Sequence, residues 1–261
     1  MRLPVLLLVL SSSLFAGDVP IIPIEIRERM LPTTMRETRG SGSSVVIDVG
    51  GETRQGLVLL TAAHVVTKDM KTSHTGEVFY SHYPTNVSFE AYVDGMWVEA
   101  KLKFCSQKGD LALLTVVTDA QYPAVKIAKH DPEVNARGSL NGYVNGSNFN
   151  RDFGFVADPN FGSNFGLLHL DRTSPVCGQS GGGVLNDKNE LMGILTGYPT
   201  ETPWMAMYTR TEEINRFISA AWDGKWDSGP IPAAVKQPNR SHPRIPTDEW
   251  LRIDSKGSSM P

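Results

Sequence analysis

Cysteine is scarce in this chain: Cys105 and Cys177 are the only two, too few for a disulfide framework even in an oxidising compartment. One bridge between them is possible, but nothing in their spacing brings them together, and both are read as free thiols. Charge of one sign is also lacking. The formal net charge is −3, and no cluster of Lys and Arg interleaves with aromatics, so composition gives no support for a nucleic-acid partner. His74 and His82 match no compact zinc pattern with the isolated cysteines, and neither a metal nor another cofactor is expected. Long apolar runs are absent after the N-terminus, and helical periodicity is nearly so.

What the chain does have is turns. Its 24 glycines and 17 prolines separate short apolar runs such as "SVVIDVGG", "GLVLLTAAHVV", "VSFEAYVDG", "MWVEAKLKF" and "LALLTVV". These are strand signals at the spacing of an all-β barrel or sandwich. A second set follows "DAQYPAVKI", including "GSLNGYV", "FGFVADP", "FGLLHLD", "LMGILTG" and "MAMYTR". Two successive β-barrels are expected, over residues 40–120 and 121–222. The second is expected to end in the one convincing helix, "TEEINRFISAAW" (Thr211–Trp222), with Thr211 as N-cap and an apolar stripe of Ile214, Phe217, Ile218 and Ala221 packed on the second barrel.

The ends read differently. Residues 1–16 combine Arg2, an apolar run through Leu10 and a small-residue region ending at Ala16. That layout is a secretory signal peptide, too short to span a bilayer comfortably. It implies a secreted or periplasmic protein with no stable membrane association once the signal is removed. Residues 17–39 mix prolines with charges and read as an extended arm. Residues 223–261 are Pro-rich with little periodicity and read as a disordered tail.

Candidate chemistry centres on "TSPVCGQSGGGVLN" at 173–186, where Ser180 is surrounded by glycines with nothing bulky beside it except Gln179. A serine hydroxyl is a poor nucleophile until a base takes its proton, and that base needs a third group to hold its tautomer. Of six histidines, His64 alone ends a strongly apolar strand. His74 and His82 lie in polar surroundings, His169 sits within a strand run and His242 belongs to the tail. The carboxylate candidate is Asp110 in "KGDLALL", at the boundary between a polar turn and an apolar strand. Its competitor Asp94 is explained by a hairpin turn, because Asp-Gly between two strand runs is a strong turn signal.

Together these segments resemble the trypsin-like, chymotrypsin-fold serine peptidases. "TAAHVV" resembles the family's histidine motif, "GDLALL" its aspartate motif and "GQSGG" its nucleophile motif, in the order His64, Asp110, Ser180. In strand texture the chain is closest to the bacterial secreted and high-temperature-requirement-like branch, and no segment resembles that branch's companion regulatory domain. The resemblance implies two six-stranded antiparallel β-barrels with the active site between them and a C-terminal helix. It implies a serine endopeptidase acting on protein or peptide substrates. Ser180 would be the nucleophile, His64 the base and Asp110 its orienting group, with the backbone N–H groups of Gly178 and Ser180 as the oxyanion hole.

The same resemblance places the primary pocket at Ser174, Thr196, Gly197, Tyr198 and Ala206. None of these is acidic, which favours a small or medium apolar residue before the cleaved bond over Lys or Arg. One position departs from the pattern. Gln179 stands where zymogen-activated members have an Asp that pairs with a newly cut N-terminus, so activation by that route is not expected. Two rival readings compete with this one. An α/β-hydrolase would need its acid and histidine after the serine, where His242 is the sole candidate. A catalytically inactive double-barrel binding module remains the alternative.

Overall fold

The structure, a computed structural model, describes residues 20–29, 36–48, 56–66, 71–72, 78–79, 87–106 and 109–222. The first half contains β1 (Ile21–Arg29), β2 (Arg36–Val46), β3 (Leu57–Ala62), the one-turn helix α1 (Ala63–Val66), β4 (Lys71–Thr72), β5 (Val78–Phe79), β6 (Val87–Val93), β7 (Met96–Cys105) and β8 (Leu111–Val116). The second half contains β9 (Arg137–Val144), β10 (Asn148–Asp158), β11 (Phe165–Leu170), β12 (Gly183–Asn186), β13 (Leu191–Gly197), β14 (Met205–Arg210) and α2 (Thr211–Trp222). Hydrogen bonding closes two barrels, β1-β2-β3-β8-β7-β6 and β10-β11-β14-β13-β12-β9, while β4 and β5 pair separately. The architecture is therefore all-β with two closed six-stranded antiparallel barrels and one C-terminal helix, as expected. The proposed signal peptide at 1–16, the tail at 223–261, and His74, His82 and His242 lie outside the described residues.

Why β3 and β8 read as continuous apolar runs is clear from their position. They pair along their whole length, from Leu57↔Val116 to Ala62↔Leu111. All six residues of β3 are buried, because one face fills the first barrel and the other meets the second. A strand covered on both faces has no reason to alternate. By contrast β7 alternates, with Glu99, Lys101 and Lys103 exposed around buried Ala100, as a strand with one solvated face should. Asp94 and Gly95 form the turn of the β6–β7 hairpin, which accounts for Asp94 as the sequence suggested.

The extended arm expected at 17–39 is not separate from the barrel. Within it, β1 pairs with both β2 and β6 and so closes the first barrel. Ile21, Ile22 and Ile24 are at most 5% exposed, and it is their burial that fastens the segment. Pro23, which suggested an arm, pairs with Ser43 but lies before the β1–β6 pairing begins at Ile24. That is the edge-like position a strand proline tolerates.

Helix α2 occupies the expected residues, yet its contacts differ from the expectation in two ways. Its apolar stripe bridges the barrels: Ile214, Phe217 and Ala221 join the core cluster that holds the first-barrel residues Leu59, Leu111 and Leu113. Phe217 meets Phe104 of β7 with ring centroids 5.1 Å apart. Nor does Thr211 serve as the cap, because its hydroxyl donates to Met192 O at 2.8 Å. Asp131 accepts the Glu212 N–H instead, at 3.2 Å, placing a carboxylate at the helix N-terminus where the dipole favours it. Phe217→Ala is expected to cost about 3–5 kcal/mol, the range for truncating a buried aromatic, and to lower the midpoint of urea unfolding.

Between the barrels the chain passes back and forth across the interface. The connecting segment donates Val125 N–H to Val46 O and accepts Leu191 N–H at Lys126 O, both at 2.8 Å. Rigid attachment of one barrel to the other matters here, because the candidate site draws on both.

Candidate active site

His64 sits in α1, the single helical turn that follows β3, and Asp110 lies with Gly109 in the turn that leads directly into the facing strand β8. Asp110 is at φ 52°, a left-handed conformation that Asp tolerates better than most side chains. Two supports hold this turn. Ala63 N–H donates to Asp110 O at 3.0 Å, and the Thr209 hydroxyl, from the second barrel, donates to Gly109 O. The Asp110 side chain is fully buried.

Both oxygens of that carboxylate are committed to one residue. Oδ1 accepts the His64 backbone N–H at 2.8 Å and Oδ2 pairs with His64 Nδ1 at 2.7 Å. A carboxylate only accepts, so Nδ1 carries the ring proton and the Nε2 lone pair is left as the basic atom. Burial of the ring works to lower its pKa, whereas the Asp110 charge and its hydrogen bond raise it. The net result lies above the ordinary histidine value.

Ser180 belongs to the second barrel, in the turn before β12. Its carbonyl accepts the Ser43 N–H at 2.8 Å, which fastens the turn to β2. Gly181, at φ 81°, is pressed against β3 and β2, where a Cβ would overlap Thr61 Oγ1 and Ser43 O. Only glycine fits there. The turn that carries Ser180 thus lies against the strand end from which His64 projects. Among the described residues no hydrogen bond joins Ser180 to His64, a bond that often forms only once substrate is bound.

The backbone around Ser180 supplies two unused donors. Cys177 O accepts Asn145 N–H at 2.9 Å and Gln179 O accepts Gly182 N–H at 2.8 Å. In a planar trans peptide the N–H points opposite the carbonyl. Anchoring those two carbonyls therefore turns the Gly178 and Ser180 N–H groups the other way, and neither is donated to an acceptor among the described residues. Gly178 sits at φ 91°, and a Cβ on it would lie 2.6 Å from both Asn145 N and Tyr143 O. The result is a pair of N–H groups flanking a half-exposed serine.

The family comparison decides what this arrangement belongs to: residues 40–194, well over half of the chain, match the trypsin-like peptidase domain. The chain belongs to that family. No curated protein matches it.

Within this trypsin-like peptidase domain the proposed pocket residues are dispersed. Ser174 lines a cleft of about 520 Å³ together with His169, Arg172 and Trp204. Thr196 turns its hydroxyl to Met207 O at 3.1 Å, and Gly197 and Tyr198 are half-buried beside it. Ala206 is fully buried in the second core with Leu168 and Tyr208, so it offers no accessible surface to a substrate. Cys105 and Cys177 are free thiols, and burial pushes the Cys177 thiol above its ordinary pKa. A protonated thiol is a weak nucleophile.

Two residues of the candidate site were not anticipated from sequence. Ser43 is fully buried; its hydroxyl donates to Gly178 O at 2.8 Å and accepts the Tyr143 N–H at 2.7 Å. Asp152 is buried and accepts from Gln179 Nε2 at 3.0 Å. The polar run "GSGSS" just before an apolar strand was the available signal for Ser43. For Asp152 there was none, because its role depends on a contact made across the second barrel.

Proposed function

We propose that the protein is a serine endopeptidase that cleaves peptide bonds through an acyl-enzyme. The observation that carries this reading is the two-point bond between His64 and Asp110, set against the turn that presents Ser180 and two undonated N–H groups. Ser180 Oγ attacks the scissile carbonyl carbon while His64 Nε2 takes the hydroxyl proton. Charge then develops on the carbonyl oxygen, where the N–H groups of Gly178 and Ser180 stabilise it. The C–N bond breaks as His64 returns the proton to the amine, and water repeats the sequence on the ester. Asp110 keeps the imidazole in the tautomer both steps need.

The substrate is a protein or peptide. The absence of an acidic side chain at Ser174, Thr196, Gly197 and Tyr198 supports a small or medium apolar residue before the cleaved bond. The strands "VDGMWVEAKLKF" and "ELMGILTG" support kinship with the bacterial secreted, high-temperature-requirement-like branch, and the layout of residues 1–16 supports secretion or periplasmic location. Gln179 supports an enzyme that needs no N-terminal cut.

An inactive double-barrel binding module is the second reading, motivated by the Ser180–His64 hydrogen bond that the described residues do not make. A fluorophosphonate probe separates the two. The peptidase reading expects the mature protein to be labelled at Ser180 and labelling to vanish in His64→Ala. An unlabelled wild type would favour the binding module.

A further inference from the structure

We infer that Asp152 is a positioning residue for the oxyanion hole, acting through Gln179; the inference rests on the serine-peptidase reading of Ser180. Gln179 is fully buried beneath the turn that carries the nucleophile. Its side-chain Oε1 accepts the Val176 N–H at 2.8 Å, and its own N–H donates to Val176 O at 3.1 Å. Those two bonds close a ring around Cys177 and Gly178. The Gln179 amide is therefore a support for the Gly178 N–H beside the Asn145–Cys177 bond, and it holds only when its oxygen faces Val176.

A free amide has two orientations, and the wrong one would set an NH₂ against the Val176 N–H. Asp152 removes that choice. Its carboxylate has no donor, so it accepts only the NH₂ end of Gln179, at 3.0 Å, and leaves Oε1 for Val176. Asn150 Nδ2 donates to the same Asp152 oxygen at 2.9 Å, which holds the carboxylate in place. The chain Asn150–Asp152–Gln179–Val176 thus has one consistent assignment of donors and acceptors, and it ends at the oxyanion turn. At the position where Gln179 departs from the Asp of zymogen-activated members, this hydrogen-bond relay orders the turn.

Reversing the relay tests it. Gln179→Glu sets two carboxylates about 3 Å apart; while they share one proton the relay can persist, but once both are ionised the contact is repulsive. At a pH above that ionisation, where the exchange measurement below is also made, kcat should fall by about a hundredfold to a thousandfold, the range for losing an oxyanion donor, with KM nearly unchanged. Asp152→Asn alone should lower kcat by a smaller factor, because an amide at position 152 can present either its oxygen or its NH₂ to Gln179 and no longer fixes which end of Gln179 meets Val176. The double variant Gln179→Glu with Asp152→Asn restores the match between positions 152 and 179: the new amide at position 152 donates its NH₂ to the new carboxylate at position 179, whose other oxygen accepts the Val176 N–H, while the bond from Asn150 to that same atom is given up. It should regain about tenfold or more over Gln179→Glu, the scale of coupling between residues in contact.

Amide hydrogen exchange at Val176, read by NMR, gives an answer independent of catalysis. Exchange should be slow in wild type, fast in Gln179→Glu and slow again in the double variant. A Gln179→Glu chain that fails to fold while the double variant folds counts as the same rescue. Fast exchange in a folded double variant, or unchanged exchange in Gln179→Glu, would overturn the relay. Wild-type protein without peptidase activity would overturn the serine-peptidase reading instead, and the exchange pattern would still decide the relay.

Discussion

Replacing Ser180 by Ala is expected to lower kcat by roughly a millionfold, and His64→Ala by a similar factor, measured on a peptide substrate under single-turnover conditions. The two groups act as one unit. Without the hydroxyl there is nothing for Nε2 to deprotonate, and without Nε2 the hydroxyl keeps its proton at neutral pH. The double variant should therefore be about as slow as either single variant. Losses that multiplied would mean that the two residues do not share a step. Some acceleration over the uncatalysed reaction should survive in all three, because the N–H groups of Gly178 and Ser180 and the anchored carbonyls of Cys177 and Gln179 are backbone features that the side-chain changes leave in place. Ser180→Ala should leave the fold intact, because Ser180 contributes its carbonyl, not its hydroxyl, to the bond with Ser43 N–H.

The parts of this molecule that were legible in the sequence are those whose causes are local. β3 and β8 announced themselves because burial on both faces makes an unbroken apolar run, and Asp94 was correctly explained by the turn chemistry of Asp-Gly. His64, Asp110 and Ser180 were legible as three short motifs. The pairing of His64 with Asp110 needed the β3–β8 register, in which Ala62 faces Leu111, to bring the ends of two strands together. What was misjudged depends on long-range packing. Residues 17–39 carry arm-like composition, yet three isoleucines bury because β6 returns alongside β1. The stripe of α2 was visible, but nothing local said that Phe104, from the first barrel, would cover Phe217. Thr211 looked like a cap, and lost that role because Met192 O and Asp131 arrive from distant segments. Ser43 and Asp152 escaped for the same reason: a buried polar residue is recognisable chiefly by its partners, and the decisive ones lie on β9 and in the turn that carries Ser180.

Asp110→Asn should separate the orienting role from simple burial. The substitution keeps the volume, and the new amide oxygen still accepts the His64 N–H. Its NH₂ then faces Nδ1, which favours the tautomer with the proton on Nε2, the atom that must be free to act as base. The expected loss in kcat is on the order of ten thousandfold, as for the loss of tautomer control in such triads. The pH profile should move as well. Only neutral His64 is a base, so kcat/KM rises with pH through the pKa of its ring. In wild type that midpoint lies above the ordinary value of about 6.5, because burial, which lowers it, is outweighed by the charge and hydrogen bond of Asp110 together. In Asp110→Asn both raising influences are gone and burial remains, so the midpoint of the residual activity should fall below 6.5. A profile that kept its midpoint would show that the charge facing His64 comes from elsewhere, and the 2.7 Å contact would then be a structural one.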